Sequence, residues 1–160
     1  MGRKSYILGI DPGTSGALCL LAPTVDLIKE IWDFPLKQHF GHNVIDYSLL
    51  GKMLLPYAKD IELCVIEDVH SMPLQGVAST FSFGVSKGVV LGMVAAFQVP
   101  IFTPPPAVWK MNMGLTKDKA ASFAKATELY PEKKNFWARK CDDGRAEAVL
   151  LAEFGRRFYQ

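Results

Sequence analysis

The sequence predicts an α/β domain built on a mixed five-stranded sheet flanked by helices. Three observations lead there. The first third of the chain reads as strands separated by turns, at residues 5–11, 16–22 and 27–34. Strand and helix then alternate to the C-terminus, an order that lays covering helices over a sheet. Between the two regions, Leu63-Cys-Val-Ile-Glu67 is a short, apolar run of the parallel-strand type, buried on both faces.

Each element follows from its local pattern. Residues 5–11 and 16–22 are apolar runs joined by Pro12–Ser15, so they pair across a turn. Leu27–Phe34 is a third strand, ended by Pro35. Ile45–Lys59 sets Leu49, Leu50, Met53, Leu54 and Tyr57 at helical spacing. Leu63–Glu67 is the fourth strand and Val69–Gly76 a loop. Residues 77–97 predict a helix rich in small residues. Its Gly84, Gly88 and Gly92 form a stripe that permits close approach to another backbone. Val99–Thr103 is the fifth strand; Pro104-Pro105-Pro106 breaks it and can open a short helix. Thr116 reads as the N-cap of a helix to Tyr130, and Pro131–Lys140 as a basic loop. Asp142 or Asp143 caps a last helix that runs to about Phe158.

At 160 residues the chain fits one domain, 1–160. A hydrophobic share of 49% and a charged share of 21% fit a packed core and exclude a disordered chain. No uninterrupted run of 18 apolar residues occurs, so no membrane span is expected. A net charge of +2 excludes a polycation, so any nucleic-acid contact must come from local patches. Cys19, Cys64 and Cys141 are odd in number and widely spaced. Without a CxxC pair no structural zinc is expected, and a reducing compartment is favoured. His39, His42 and His70 lack ligand spacing and read as surface or loop residues.

The acidic residues that carry chemistry fall at three places. Asp11 ends the first strand, Glu67 with Asp68 ends the strand at 63–67, and Asp142, Asp143 and Glu147 lie at the start of the last helix. A carboxylate on the tip of a buried strand is held rigidly at a crevice, where a hard divalent cation or a phosphate is handled. Asp143 and Glu147 share a helix face at i and i+4. Asp142 lies about 500° around the helix from Glu147 and is less well aligned. Together these positions suggest a metal-dependent phosphodiester enzyme. Each also has a plain structural reading: Asp11-Pro-Gly as a turn, Asp143 as a helix cap, Glu67 as a solvated strand end.

In this order and spacing the motifs resemble the RuvC-type Holliday-junction resolvases of the ribonuclease-H-like superfamily, above all the divergent members of bacteriophages and organelles. The resemblance covers nearly the whole chain. Gly9-Ile-Asp11-Pro-Gly13 matches the family's opening strand, Val65-Ile-Glu67 its second acidic strand, and Gly84-Val-Ser-Lys-Gly88-Val its Gly-x-x-x-Gly helix. Thr103-Pro-Pro-Pro-Ala-Val-Trp-Lys110 matches its strand, proline and Val/Trp-Lys stretch. Asp118-Lys119 matches the acidic–Lys pair that opens the next helix, and Arg145-Ala-Glu147-Ala148 the closing acidic helix. One departure stands out: the family carries Asp-x-x-Asp-Ala on that last helix, whereas here Gly144 falls three places before Glu147.

The resemblance implies a ribonuclease-H-like fold and a crossover-junction endodeoxyribonuclease with two Mg²⁺ ions per active site, Mn²⁺ being able to substitute. Asp11, Glu67, Asp143 and Glu147 are then the metal ligands, and Lys119 stabilises the scissile phosphate or positions the attacking water. The implied partners are four-way branched DNA and a second copy of the chain, since a junction has two symmetric cleavage points. The implied setting is the cytoplasm of a bacterial or phage-infected cell, with an organellar matrix also compatible. DNA contacts are expected at His70, Gln75, Phe81 and Lys87 after the second acidic strand. Lys110, Lys117, Lys140 and Arg145 belong to a basic set interleaved with Trp137; Trp109 and Trp137 could stack on bases, with burial an equal reading for Trp109. A broader flap or fork nuclease and a non-catalytic junction-binding module share these motifs. A sugar-kinase or actin-like ATPase, suggested by Asp11-Pro-Gly-Thr14, needs a second domain and a second phosphate loop that the sequence lacks.

Overall fold

The computed structural model describes residues 5–24, 27–70, 76–116 and 118–159. In chain order the strands are β1 (Tyr6–Asp11), β2 (Ala17–Leu21), β3 (Ile28–Asp33), β4 (Leu36–His39), β5 (His42–Ile45), β6 (Ile61–Ile66) and β7 (Ile101–Phe102). The helices are α1 (Tyr47–Leu54), α2 (Val77–Ala96), α3 (Pro106–Asn112), α4 (Lys119–Leu129) and α5 (Asp143–Phe158). Five strands form the main sheet in the order β3-β2-β1-β6-β7, with β1 in the centre. β1–β2 and β2–β3 are antiparallel; β1–β6 and β6–β7 are parallel. The sheet is therefore mixed and five-stranded, as its sequence pattern predicts.

The two-residue period of the strands sorts the core into two layers. Leu8, Ile10, Leu18, Leu20, Cys64 and Ile66 pack with Leu50 and Leu54 of α1 and Val90 and Val94 of α2. Ile7, Cys19, Leu21, Leu63 and Val65 face the other way, toward Trp109, Tyr130, Trp137 and α5. The odd-numbered residues of β1 and, from Leu63 on, of β6 thus point at α5. Asp11 and Glu67 continue those two series by one step beyond the apolar runs.

α5 lies unusually close to the sheet. At Gly9 of β1 a Cβ would sit 2.1 Å from the Ala148 carbonyl oxygen and 2.5 Å from the Ala152 nitrogen, so only glycine fits. α5 answers with alanines at 146, 148 and 152, all fully buried. One carboxylate, Glu153, is also fully buried on this helix. It accepts from Tyr130 Oη at 2.9 Å and from Arg156 at 2.7 Å, and it pairs with Arg157. Burial alone would raise its pKa, but the bonds from Arg156, Arg157 and Tyr130 outweigh that and hold it below the usual carboxylate range. The stabilisation it adds is present above the unfolded-state pKa and is lost as pH falls through the lower folded value. Glu153→Gln should therefore lower the melting temperature at pH 7 and shrink the loss of stability between about pH 5 and pH 3, as read by thermal melts across pH.

Several expectations shift by local chemistry. β4 and β5 make a hairpin over a stretch for which the sequence pattern predicts no element, and Ile45 ends β5 rather than opening the helix expected at 45–59. α1 begins at Tyr47 because the Asp46 carboxylate accepts from Leu49 N at 3.1 Å, and it ends in a 3₁₀ turn at Leu55–Tyr57. Asp118, not Thr116, caps α4: its carboxylate accepts from Ala120 N at 3.0 Å, while Thr116 Oγ1 accepts from Asp118 N. The stretch expected as a basic loop is a 3₁₀ helix at Pro131–Trp137. α2 buries only Ser86, Val90 and Val94, and by length and composition (20 residues, mean hydropathy 1.4) it could cross a membrane. Its Gly84, Gly88 and Gly92 meet nothing within 4 Å, so the stripe does not pack on the sheet.

Candidate metal centre

The register of β1 against β6 builds the site. Ile10 pairs with Ile66, and Glu67 N donates to Ile10 O at 3.4 Å, so Asp11 and Glu67 lie side by side past the last rung of the ladder. The close approach of α5 at Gly9 sets Ala148 over β1, which delivers the preceding residue, Glu147, to the same spot. Carboxylate oxygens of Asp11, Glu67 and Glu147 all lie within 4.8 Å of one another. Asp143, one turn earlier on α5, pairs instead with Lys119 Nζ. Asp142 is committed elsewhere: its carboxylate accepts from Arg139, at 2.7 Å from Nη2, and from the Arg139 backbone.

Gly144 explains the departure from the Asp-x-x-Asp pattern. A Cβ there would lie 2.7 Å from Ser15 O and 2.9 Å from the Gly16 Cα, both backbone atoms of the turn after Asp11. No side chain fits at 144, and the acidic group on the upper turn of α5 comes from Asp143.

Two groups hold the acids in place. Trp109 Nε1 donates to Glu67 Oε1 at 2.8 Å, with both side chains buried. Lys110 Nζ donates to Glu147 Oε1 at 2.9 Å, and Ser122 Oγ donates to the same oxygen at 3.3 Å. The site still carries an excess of negative charge, four carboxylates against Lys110 and Lys119. Burial, then the charges of Glu147, Glu67 and Asp143, push the Asp11 carboxyl well above its usual range. Burial also raises Glu67, offset in part by the Trp109 hydrogen bond. Crowded oxygen donors with uncompensated charge fit a hard divalent cation, for which Asp11, Glu67 and Glu147 are the available ligands.

Removing the indole donor tests that support. Trp109→Phe keeps the ring in the core but strips Glu67 of its partner. It should raise the Mg²⁺ concentration needed for half-maximal thermal stabilisation by about tenfold or more. An unchanged Mg²⁺ titration would remove Trp109 from the site's support.

The residues expected to touch DNA divide. Phe81 and His70 are exposed, His70 lying 3.2 Å from Asp68. Lys140 is exposed as well. Gln75 and Lys117 fall outside the described residues. Lys87 is not a free cation: it donates to Asp68 at 2.8 Å and to Val69 O at 3.1 Å, tying α2 to the end of β6. Arg145 forks onto Asp33, at 2.7 Å from Nε, and donates to Phe136 O at 3.0 Å, so it braces β3 against α5. Lys110 belongs to the acidic centre rather than to a backbone-tracking set. Neither tryptophan is available for stacking. Trp109 is buried, and Trp137 is buried with its Nε1 bonded to Thr127 Oγ1. Sequence reasoning missed the role of Trp109 toward Glu67; its place beside Lys110 in the proline-led helix is the one local signal.

No family model matches the chain, and no curated protein sequence matches it. Solved structures do. The structure of Thermus thermophilus RuvC in complex with a Holliday junction substrate is similar with a TM-score of 0.60 and 14% identity, over 96% of this chain and 96% of that one. The yeast mitochondrial Holliday junction resolvase Ydc2 is similar with a TM-score of 0.64 and 14% identity, over 97% of this chain and 79% of that one. The fold is thus the ribonuclease-H-like fold of the RuvC-type resolvases.

Proposed function

We propose that the chain is a metal-dependent endodeoxyribonuclease that resolves four-way DNA junctions by paired symmetric nicks. The observation that carries this reading is the convergence of Asp11, Glu67 and Glu147 from two strand ends and one helix. Such a set suits two Mg²⁺ ions, which would supply charge neutralisation on the phosphate and activation of water. The similarity of the fold to a resolvase solved with junction DNA supports the choice of substrate. In this reading Asp143 completes the ligand set when Lys119 turns from it toward the scissile phosphate. The Asp143 carboxylate, first through its hydrogen bond and then through its charge, raises the Lys119 pKa and keeps the ammonium protonated. Lys110 and Ser122 hold Glu147 in register while the carboxylates take up metal.

The test is cleavage of a labelled, mobile four-way junction with Mg²⁺, beside flap, fork and duplex DNA. Paired nicks at symmetric positions in the junction alone support the proposal. Cutting of every branched form would make the chain a broader branch nuclease. Tight binding without cutting would make it a binding module.

Two symmetric nicks need two active sites, and we propose a homodimer through the C-terminal half of α2, where Gly88 and Gly92 are open. Light scattering should give twice the chain mass of 17.7 kDa. Gly88→Leu should return the mass to that of one chain.

A further inference from the structure

The two histidines at the tip of the β4–β5 hairpin belong to no part of the acidic centre. His39 pairs directly with His42 in the antiparallel ladder, and Phe40-Gly41 closes the turn between them. We propose that this pair binds a first-row transition cation such as Zn²⁺ or Ni²⁺ through its two imidazoles. The site is separate from the Mg²⁺ centre and does not depend on the nuclease reading.

The ladder brings the ligands together. Three places apart in the sequence, the two histidines have no ligand spacing along one strand. Across the hairpin they are opposite partners, so both side chains leave the same face. The Cβ atoms of such partners lie about 4.5–5.5 Å apart. Imidazoles that start from this separation can meet one cation at about 2.0–2.1 Å each. The next rung is braced, because Gln38 Nε2 donates to Asn43 Oδ1. Both histidines are exposed, and neither has a hydrogen bond or ion pair among the described residues. A cation can therefore reach their ring nitrogens without breaking a contact.

The turn supplies a second observation. Phe40 takes φ 47°, a left-handed conformation that favours Asn or Gly in a two-residue turn. Its ring is 88% exposed and meets the His39 imidazole edge-to-face, with centroids 4.5 Å apart. A solvated phenyl on a strained backbone adds nothing to the core; its contact restricts the imidazole beside it.

The surroundings select the cation. Both histidines border a recess that α2 shares with Gly13 and Thr14, in the turn that follows Asp11. Among the described residues no carboxylate lines this recess. A hard ion such as Mg²⁺ finds its anionic oxygens at Asp11, Glu67 and Glu147, whereas imidazole suits Zn²⁺, Ni²⁺ and Cu²⁺. Two imidazoles begin a shell that water completes. A cation held this way ties β4 to β5 beside the turn that leads away from Asp11.

The experiment is calorimetric titration of the untagged chain with Ni²⁺, with Mg²⁺ in large excess to occupy the acidic centre. One Ni²⁺ should bind per chain. His39→Ala and His42→Ala, both at exposed positions, should each weaken binding roughly tenfold or more. His70→Ala and Asp11→Asn should each change it by less than about twofold. With Co²⁺ in place of Ni²⁺, proton NMR should show two hyperfine-shifted imidazole N–H signals, and neither hairpin variant should show both. No binding, or binding that either hairpin variant retains, overturns the proposal. Loss of binding in Asp11→Asn or His70→Ala overturns it too, by placing the cation at the acidic centre or beside Asp68. Loss confined to the two hairpin variants, with both imidazole signals in the wild type, upholds it. None of these outcomes bears on cleavage.

Discussion

Asp11→Asn is expected to lower cleavage by roughly a thousandfold or more while making the metal-free protein more stable. The two effects have one cause. Asp11 sits among Glu67, Glu147 and Asp143, and burial and those charges raise its pKa well above the usual carboxylate value. An unfolded Asp titrates near pH 3.9. Between that value and the higher folded one, the native state binds more protons than the unfolded chain. Stability therefore falls as pH rises through this window, and above it the whole penalty is present. The amide has the same shape and no charge, so the variant should melt higher than the wild type at pH 7 without metal and show a weaker fall between pH 4 and the folded pKa. Mg²⁺ should raise the wild-type melting temperature and leave the variant nearly unmoved, because the charge that binds metal is gone. A variant that melts below the wild type in EDTA would contradict the crowding on which the whole assignment of the centre rests.

Gly9→Ala should be the most damaging single methyl in the chain. The new Cβ would press on the Ala148 carbonyl and the Ala152 nitrogen, backbone atoms that cannot turn aside. Relief requires α5 to lift from β1, which also carries Glu147 away from Asp11. The cost of such overpacking is about 3 kcal/mol, or a fall of roughly 6–12 °C in melting temperature at this size. Metal affinity should fall with it, since the same displacement opens the ligand set. Gly84→Ala is the contrasting case. Its Cβ meets open space on α2, and the gain in helix propensity is about 0.5–1 kcal/mol. Equal melting temperatures for the two variants would show that α5 does not bear on β1 as described.

How far the site could be read from the sequence depends on which residues are considered. Asp11 and Glu67 were legible because a carboxylate at the end of an apolar strand has few places to go. Glu147 was legible through its i, i+4 spacing from Asp143 and its match to the closing acidic helix of the family it resembles. Lys110, Lys87 and Arg145 were not, because a cation in a sequence looks the same whether it meets a phosphate or a neighbouring carboxylate. Only the fold brings Glu147, Asp68 and Asp33 to them. Trp137 was misread for a related reason, and for Trp109 stacking and burial were equal readings, since neighbouring lysines say nothing of which way an indole points. The β4–β5 hairpin escaped notice because its strands are four residues each and largely exposed, so burial left little pattern. Its one local signal was Phe40-Gly41, a turn whose two residues both take positive φ (47° and 80°).

Gly144 also bears on how such a chain can change over generations. With Ser15 and Gly16 against it, a substitution at 144 collides before it can contribute a carboxylate. Losing Asp143 first removes the acid before its replacement exists. Each single step between the two arrangements of acids therefore passes through a damaged intermediate, and only a simultaneous change that also reshapes the turn at 12–16 crosses directly. On the proposed assignment of Asp143, the backbone of a different segment holds the acid at 143, so the placement of this carboxylate should vary together with the length and course of that turn.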